Sequence, residues 1–288
     1  SIRTPKPMRT YAVFLLNNAI IDLASAIASA LGTVRIVQDH EGSMIFVFLG
    51  PCTLINEDLC RFCQGLHINL VQHSAIVLLL SFAYRLYLIG DVFENRPTIR
   101  LIHVWIACFS SLAIMAVPIA AYYYEQTDVA PAMMKKLRLA GYTASNYNNF
   151  GSTRAILLDA LGVTLSPIIM TLIFIVRHRL LSRIDQAKST EKRLHVSIAR
   201  ALTYQLLLPC GVASAAVFWL LDVTEIWSSE FSERVIMLTC SIFSLASPLI
   251  NFTMLPPYRA IFQSSKKSNT IAPITPNIET FTQQTSQQ

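Results

Sequence analysis

Charge is what this 288-residue chain has least of: Asp, Glu, Lys and Arg make up 14% of it, against 53% hydrophobic residues. A soluble domain carries about 25% charged residues, because charge keeps a folded surface wet. The shortfall excludes an ordinary water-soluble globule and makes lipid the natural solvent. Recognisable catalytic patterns are missing too. There is no Gly-rich phosphate loop, no Gly-x-Ser-x-Gly and no His-Glu-x-x-His. No enzyme activity, cofactor or metal is expected. Six cysteines in a chain this long do not make a small secreted disulfide scaffold. Cys60-Arg-Phe-Cys63 has no second pair to complete a zinc site. A signal peptide is not evident. The chain begins at Ser1 and its first methionine is Met8, so the sequence is expected to be incomplete or processed.

What is there in quantity is uninterrupted apolar sequence. A bilayer core takes roughly 20 apolar residues of helix. Between Arg61 and Arg85 lie 23 residues without Asp, Glu, Lys or Arg, and Leu101 to Tyr124 gives 24. Between Arg200 and Asp222 there are 21, and Val235 to Tyr258 gives 24. Thr10 to Val34 is broken only by Asp22, and Ala155 to Val176 only by Asp159. A soluble helix would show polar residues every third or fourth position, and these stretches do not. The expected architecture is all-α, a polytopic transmembrane bundle with six visible spans at about 11–34, 63–84, 101–124, 155–176, 201–221 and 235–258. Residues 1–262 form one membrane domain. Residues 263–288, rich in Ser, Thr, Asn and Gln, are expected to be a disordered cytoplasmic tail.

Orientation follows from where Lys and Arg collect. With the N-terminus cytoplasmic, the inner segments hold 16 of the 23 basic residues and the outer segments seven. The most basic segment runs from Arg177 to about Arg200, and the last outer loop is acidic, with Asp222, Glu225, Glu230 and Glu233. The net charge of +6 therefore belongs beside anionic lipid rather than nucleic acid.

Several residues inside the spans carry chemistry. Asp22, near the middle of the first span, is either a polar switch or ion site, or an interhelical hydrogen bond. Asp159, one turn in from the outer end of its span, reads as a solvated carboxylate; the alternative is contact with a ligand in an outward cavity. Pro118, Pro167, Pro209 and Pro248 fall one each in the last four spans, where proline bends a helix. Tyr84-Arg85 closes the second span at its inner end, as an interfacial anchor or a signalling element. His67 and His73 lie on different helix faces, so they form no metal pair, and each is expected to hydrogen-bond internally. Tyr122, Tyr123, Trp219 and Trp227 are either pocket side chains or interfacial aromatics.

The local residues sharpen this picture. YAVFLLNNAIIDLASAIASA, the loop FLGPC, GLHINLVQHS followed by LLLSFAYRLYL, and above all the ending SPLINFTMLPPYRAIF resemble nematode seven-helix chemoreceptors of serpentine receptor class d, the Srd group, from about Met8 to Phe262. The resemblance implies a G-protein-coupled receptor whose helices two to seven are visible and whose first is missing. Its partners would be the bilayer, a small-molecule ligand and a heterotrimeric G protein, in the plasma or ciliary membrane of sensory neurons. By resemblance Asp22 matches the polar site of helix two, Tyr84-Arg85 the arginine motif closing helix three, and Pro248 and Asn251 the helix-seven hinge; Arg177 and Arg179 of the basic segment are expected to face the G protein with Tyr84 and Arg85, and Pro209 to act as a further hinge. The sequence departs from the wider pattern in lacking a full acid-Arg-Tyr triplet and an Asn-Pro-x-x-Tyr. The outer loop from about Glu125 to Gly151 has no cysteine for a disulfide to helix three. Cys52 is instead expected to pair with Cys60 or Cys63. The alternative functions are a small-solute transporter or channel, or a non-functional receptor fragment.

Overall fold

A computed structural model of the chain describes residues 6–38, 43–94, 100–186, 203–204, 206–224, 226–227 and 229–254. Helix α1 spans Lys6–Gly32, α2 Glu57–Glu94, α3 Leu101–Glu125, α4 Pro131–Lys136, α5 Thr153–Gln186, α6 Leu207–Val223 and α7 Glu230–Met254. Four strands lie between them: β1 Val34–Gln38, β2 Ser43–Phe48, β3 Gln126–Asp128 and β4 Thr143–Asn148. Among the described residues, four stretches are long and apolar enough to cross a membrane: Val13–Gly32, Glu57–Tyr87, Leu101–Glu125 and Thr153–Ile184. At 1.5 Å of rise per residue, α3 alone is about 37 Å long, more than the ~30 Å hydrocarbon core.

The helices start and stop for local reasons. Asn56 caps α2, its Oδ1 accepting the Asp58 N–H at 3.0 Å, and Glu57 and Asp58 in the first turn complement the helix dipole. Ser152 caps α5 by accepting the Ala155 N–H at 3.0 Å, and its own hydroxyl donates to Glu125 at 2.6 Å. Helix α1 ends because Thr33 adopts φ 39°, in the left-handed region, from which the chain leaves as a strand.

The all-α expectation takes one correction. The bundle is helical, but two of its connections pair into an antiparallel sheet of order β1-β2-β4-β3. Ser43 lies opposite Asn148 and Phe48 opposite Thr143. The physical reason is burial on both faces of β2, which also explains why its sequence, SMIFVF, does not alternate. Met44, Phe46 and Phe48 pack toward the bundle with Ile36, Tyr122 and Tyr147. Ile45 and Val47 pack the other way, with Leu139 and Ala144 and against Met133 and Met134 of α4. Every connection joining this sheet, and the α6–α7 connection beside it, is one that the charge distribution places outside. Gln38 ties the sheet to that connection, its backbone N–H donating to Glu233 at 3.2 Å and its side-chain amide to the Asp222 carbonyl at 3.2 Å.

A separate core fills the inner half of the bundle, where Phe14, Val77, Phe82, Tyr84, Ile173 and Leu180 belong to one buried cluster. The expected tail at 263–288, most of the basic segment after Gln186, and the last residues of the 235–258 span lie outside the described residues.

Candidate ligand-binding site

Beneath the sheet the helices enclose a cavity of about 160 Å³. That is the scale of the dry cavity, about 150 Å³, that holds a benzene molecule. Met44 and Phe46 form its ceiling, Ile68 and Gln72 one side, and Trp219 and Met237 the other. Most of its lining is apolar. The polar groups that reach it include Asn69, Gln72, Asp159 and Ser166. Two of these are already engaged: the Asn69 amide donates to the Gly65 carbonyl at 2.8 Å, and the Ser166 hydroxyl to the Gly162 carbonyl at 3.0 Å.

Among the described residues, Asp159 is the only acid lining the cavity. It sits on α5, six residues past Thr153, and its Oδ1 accepts the Tyr147 hydroxyl at 3.1 Å. Its Oδ2 is buried and has no hydrogen-bond partner among the described residues. Tyr147, on β4, is held by rings on both sides. It stacks on Tyr122 with centroids 4.8 Å apart and meets Phe46 at 6.3 Å. Burial and the Asp159 carboxylate push the Tyr147 hydroxyl well above the usual phenol range, so it remains a proton donor. The second lone-pair face of the carboxylate is therefore available for a ligand's hydrogen-bond donor. Of the two readings of Asp159 drawn from the sequence, this geometry matches the cavity contact and not the solvated carboxylate.

Of the four aromatics considered from sequence, Tyr122 and Trp219 line the cavity, and the Trp219 indole N–H points at Met44 Sδ at 3.2 Å. Tyr123 meets Tyr124 edge-on, and Trp227 is about half exposed near Phe218. Cys52 and Cys60 form a disulfide with Cα atoms 5.2 Å apart, and Cys63 is a buried free thiol. This disulfide fastens the β2–α2 connection. The outer loop without cysteine is held by strand pairing instead. Its ends are fastened by Arg61 with Asp128 and by Arg154 with Glu125.

The switch and inner residues fall elsewhere in the bundle. Asp22 is buried between α1 and α2, accepting from Asn18 at 2.7 Å and from Ser74 at 2.6 Å. His67 bonds the Ser25 hydroxyl at 3.0 Å. His73 departs from the internal hydrogen-bonding expectation: it is fully buried, and neither ring nitrogen has a hydrogen-bond partner among the described residues. Tyr84 packs on Phe14 at 5.4 Å, and Arg85 beside it is buried. Arg177 donates to the Thr203 hydroxyl at 3.1 Å, while Arg179 is exposed. Pro118 and Pro167 stand inside α3 and α5. Pro209 falls in the first turn of α6, where proline removes no intrahelical bond. Pro248 and Asn251 lie on α7, with side chains outside the described residues. Sequence reasoning did not find Met44, Phe46, Gln72, Tyr147 or Gly162. No local signal marks them, because strand pairing and helix contacts alone bring them together. Among the described residues no group of three His, Cys, Asp or Glu is placed to hold a metal ion.

An apolar helix bundle with four stretches of membrane-crossing length among the described residues, capped at one end over a small cavity, has the build of a multi-pass membrane protein. The chain belongs to the serpentine type 7TM GPCR chemoreceptor family Srd, whose model matches residues 1–264. It is similar to serpentine receptor class delta-3 of Caenorhabditis elegans, at 22% identity over 279 residues, covering 90% of this chain and 79% of that protein. It is 26% identical to class delta-1 of the same organism over 282 residues, covering 89% and 72%. Class delta-2 gives 25% over 284 residues, covering 89% and 74%.

Proposed function

We propose that the chain is a chemosensory receptor that detects a small molecule in the outer cavity and signals through a heterotrimeric G protein. The observation that carries this reading is the Asp159 carboxylate, half satisfied by Tyr147, at the edge of a mostly apolar cavity in a bundle of this family. A ligand shifts a conformational equilibrium only by its differential affinity for the two states. Here the ligand touches α2, α3, α5, α6, α7 and the sheet together, so it senses their relative placement. Pro248 and Asn251 serve as the hinge of the moving helices, and Pro209, in the first turn of α6, marks where that helix begins. Asp22 keeps α1 fixed to α2 while they move. At the inner end Tyr84, Arg85, Arg177 and Arg179 present the G-protein surface. The receptor acts in the plasma or ciliary membrane of a sensory neuron.

The test is a ligand screen in reporter cells with a calcium or cyclic-nucleotide readout, followed by two variants. Arg85→Ala is expected to reach the cell surface normally and to lose the signal. Asp159→Asn is expected to shift the dose–response of a hydrogen-bond-donating agonist to higher concentration by about tenfold, the worth of one charge-assisted hydrogen bond. Full signalling by Arg85→Ala at equal surface expression would overturn the G-protein reading.

A further inference from the structure

Over β2 the cavity is roofed by packed side chains, and its flank is lined differently. At its outer end Met44 and Phe46 form one layer. Ile45 and Val47, on the opposite face of the same strand, bury a second layer under Leu139, Met133 and Met134. A solute arriving over β2 has to break through both packed layers and the sheet between them. The flank between α3 and α5 is different. Leu161 lines the cavity and is nevertheless 52% exposed on the outside of the bundle. From α3 the lining residues there are Met115 and Pro118, both half-buried. At Gly162 a Cβ would lie 2.9 Å from Gln72 Nε2, so the Gln72 amide packs directly on the α5 backbone. In a membrane this flank meets lipid, not water.

Asp159 lies six residues past Thr153, about 9 Å along the helix axis from the start of α5. With that start at the outer edge of the headgroup layer, its carboxylate falls near the boundary of headgroups and acyl chains. That is the level at which a membrane-dissolved amphiphile holds its polar end. Resting on the reading of this cavity as the ligand site, we propose that the ligand enters sideways from the bilayer, between α3 and α5. It is then a small lipid-soluble amphiphile with an apolar body and one hydroxyl or amine that donates to the Asp159 carboxylate. Each methylene of such a body favours the bilayer about fourfold, so the membrane gathers the ligand before the protein binds it.

Cys240 lines the same cavity from α7 and reports entry directly. The full chain in lipid nanodiscs is treated with methyl methanethiosulfonate, which is neutral and dissolves in lipid, or with sulfonatoethyl methanethiosulfonate, which is charged and stays in water. Modification of Cys240 is timed by peptide mass mapping, and the ratio of the two rates cancels the intrinsic reactivity of the thiol. The neutral reagent is expected to react faster by about two orders of magnitude, since an ion pays a heavy desolvation cost to cross apolar surroundings. Leu161→Trp, filling the gap in a close-packed wall, is expected to slow the neutral reagent by about tenfold, and Leu161→Ala to speed it. Comparable rates for the two reagents in the wild-type chain would overturn lateral entry. So would a neutral-reagent rate that neither Leu161 variant changes. Should Leu161→Trp fail to elute as a folded species, Leu161→Ala decides alone. Labelling reads access and reporter signalling reads function, so a silent reporter with the expected labelling pattern refutes the receptor reading while leaving the portal standing.

Discussion

Replacing Gly50 by alanine should detach the outer sheet from the bundle. Gly50 has an ordinary extended backbone, φ −88° and ψ 176°, so conformational freedom is not why glycine stands there. The reason is space. A Cβ at this position would overlap the Leu31 carbonyl oxygen, and would lie 2.7 Å from the Leu31 carbonyl carbon and 2.8 Å from that of Gly32. All three atoms are backbone of the last turn of α1 and cannot rotate away. The chain has to lift, and lifting it breaks two bonds: Gly50 N–H to the Gly32 carbonyl at 3.1 Å, and Leu49 N–H to the Thr33 carbonyl at 3.1 Å. Two backbone hydrogen bonds at about 1 kcal/mol each, with overpacking of about 1–3 kcal/mol, give a loss of roughly 3–5 kcal/mol. In a chain of this size, with an unfolding entropy of about 0.6 kcal/mol/K, that lowers the melting temperature by roughly 5–8 °C. A thermal scan of detergent-purified protein by intrinsic fluorescence measures it. Gly141→Ala is the control: Gly141 has φ +88° with nothing within 4 Å of its Cβ position, so its cost is conformational and about 1 kcal/mol. Equal melting of the two variants, or a Gly50→Ala protein as stable as wild type, would refute the reasoning.

Asp22→Ala removes the acceptor for Asn18 and Ser74. At about 0.6–1.7 kcal/mol per hydrogen bond in a membrane bundle, it is expected to cost about 1–3 kcal/mol. Asp22→Asn, whose carbonyl still accepts from Ser74, should cost less than half as much in the same scan, and equal losses would show that charge, not hydrogen bonding, matters there. Joint replacement of Cys52 and Cys60 by serine opens a disulfide between positions eight apart. The chain-entropy model puts the loss at about 2.5 kcal/mol, read as an earlier unfolding midpoint that wild type shares only under reducing conditions. Gly162→Ala meets only the flexible end of Gln72 at 2.9 Å, so folding should lose less than about 1 kcal/mol. The agonist dose–response should nevertheless shift, because Gln72 lines the cavity.

The helices were legible because hydrocarbon excludes charge over a length fixed by the bilayer, and that constraint is written locally. Their ends were less so. α2 reaches from Glu57 to Glu94 and α5 from Thr153 to Gln186, past the apolar runs at 63–84 and 155–176, because helices continue into water until a cap or a partner stops them. The sheet was not legible. VRIVQ and SMIFVF read as more apolar sequence beside a span, and TASNYN as a polar loop. The pairing of β2 with β4 joins segments about a hundred residues apart, which no local period records. Asp159 was visible as an acid in an apolar run. Tyr147, which turns it into half of a binding group, was hidden in the polar stretch around Asn146 and Asn148.

Strand β2 sits between β1, its immediate predecessor, and β4, which lies beyond α2, α3 and α4. During synthesis β1 and β2 can meet at once. The other edge of β2 waits until α2, α3 and α4 have been made. For that interval the six residues SMIFVF offer an unpaired apolar edge, the kind of edge that invites association with other chains. Arrival of β4 ends the exposure and roofs the cavity in a single step. A nascent chain delayed between α2 and β4 would therefore be recognised by quality control as a sticky strand rather than as a missing helix.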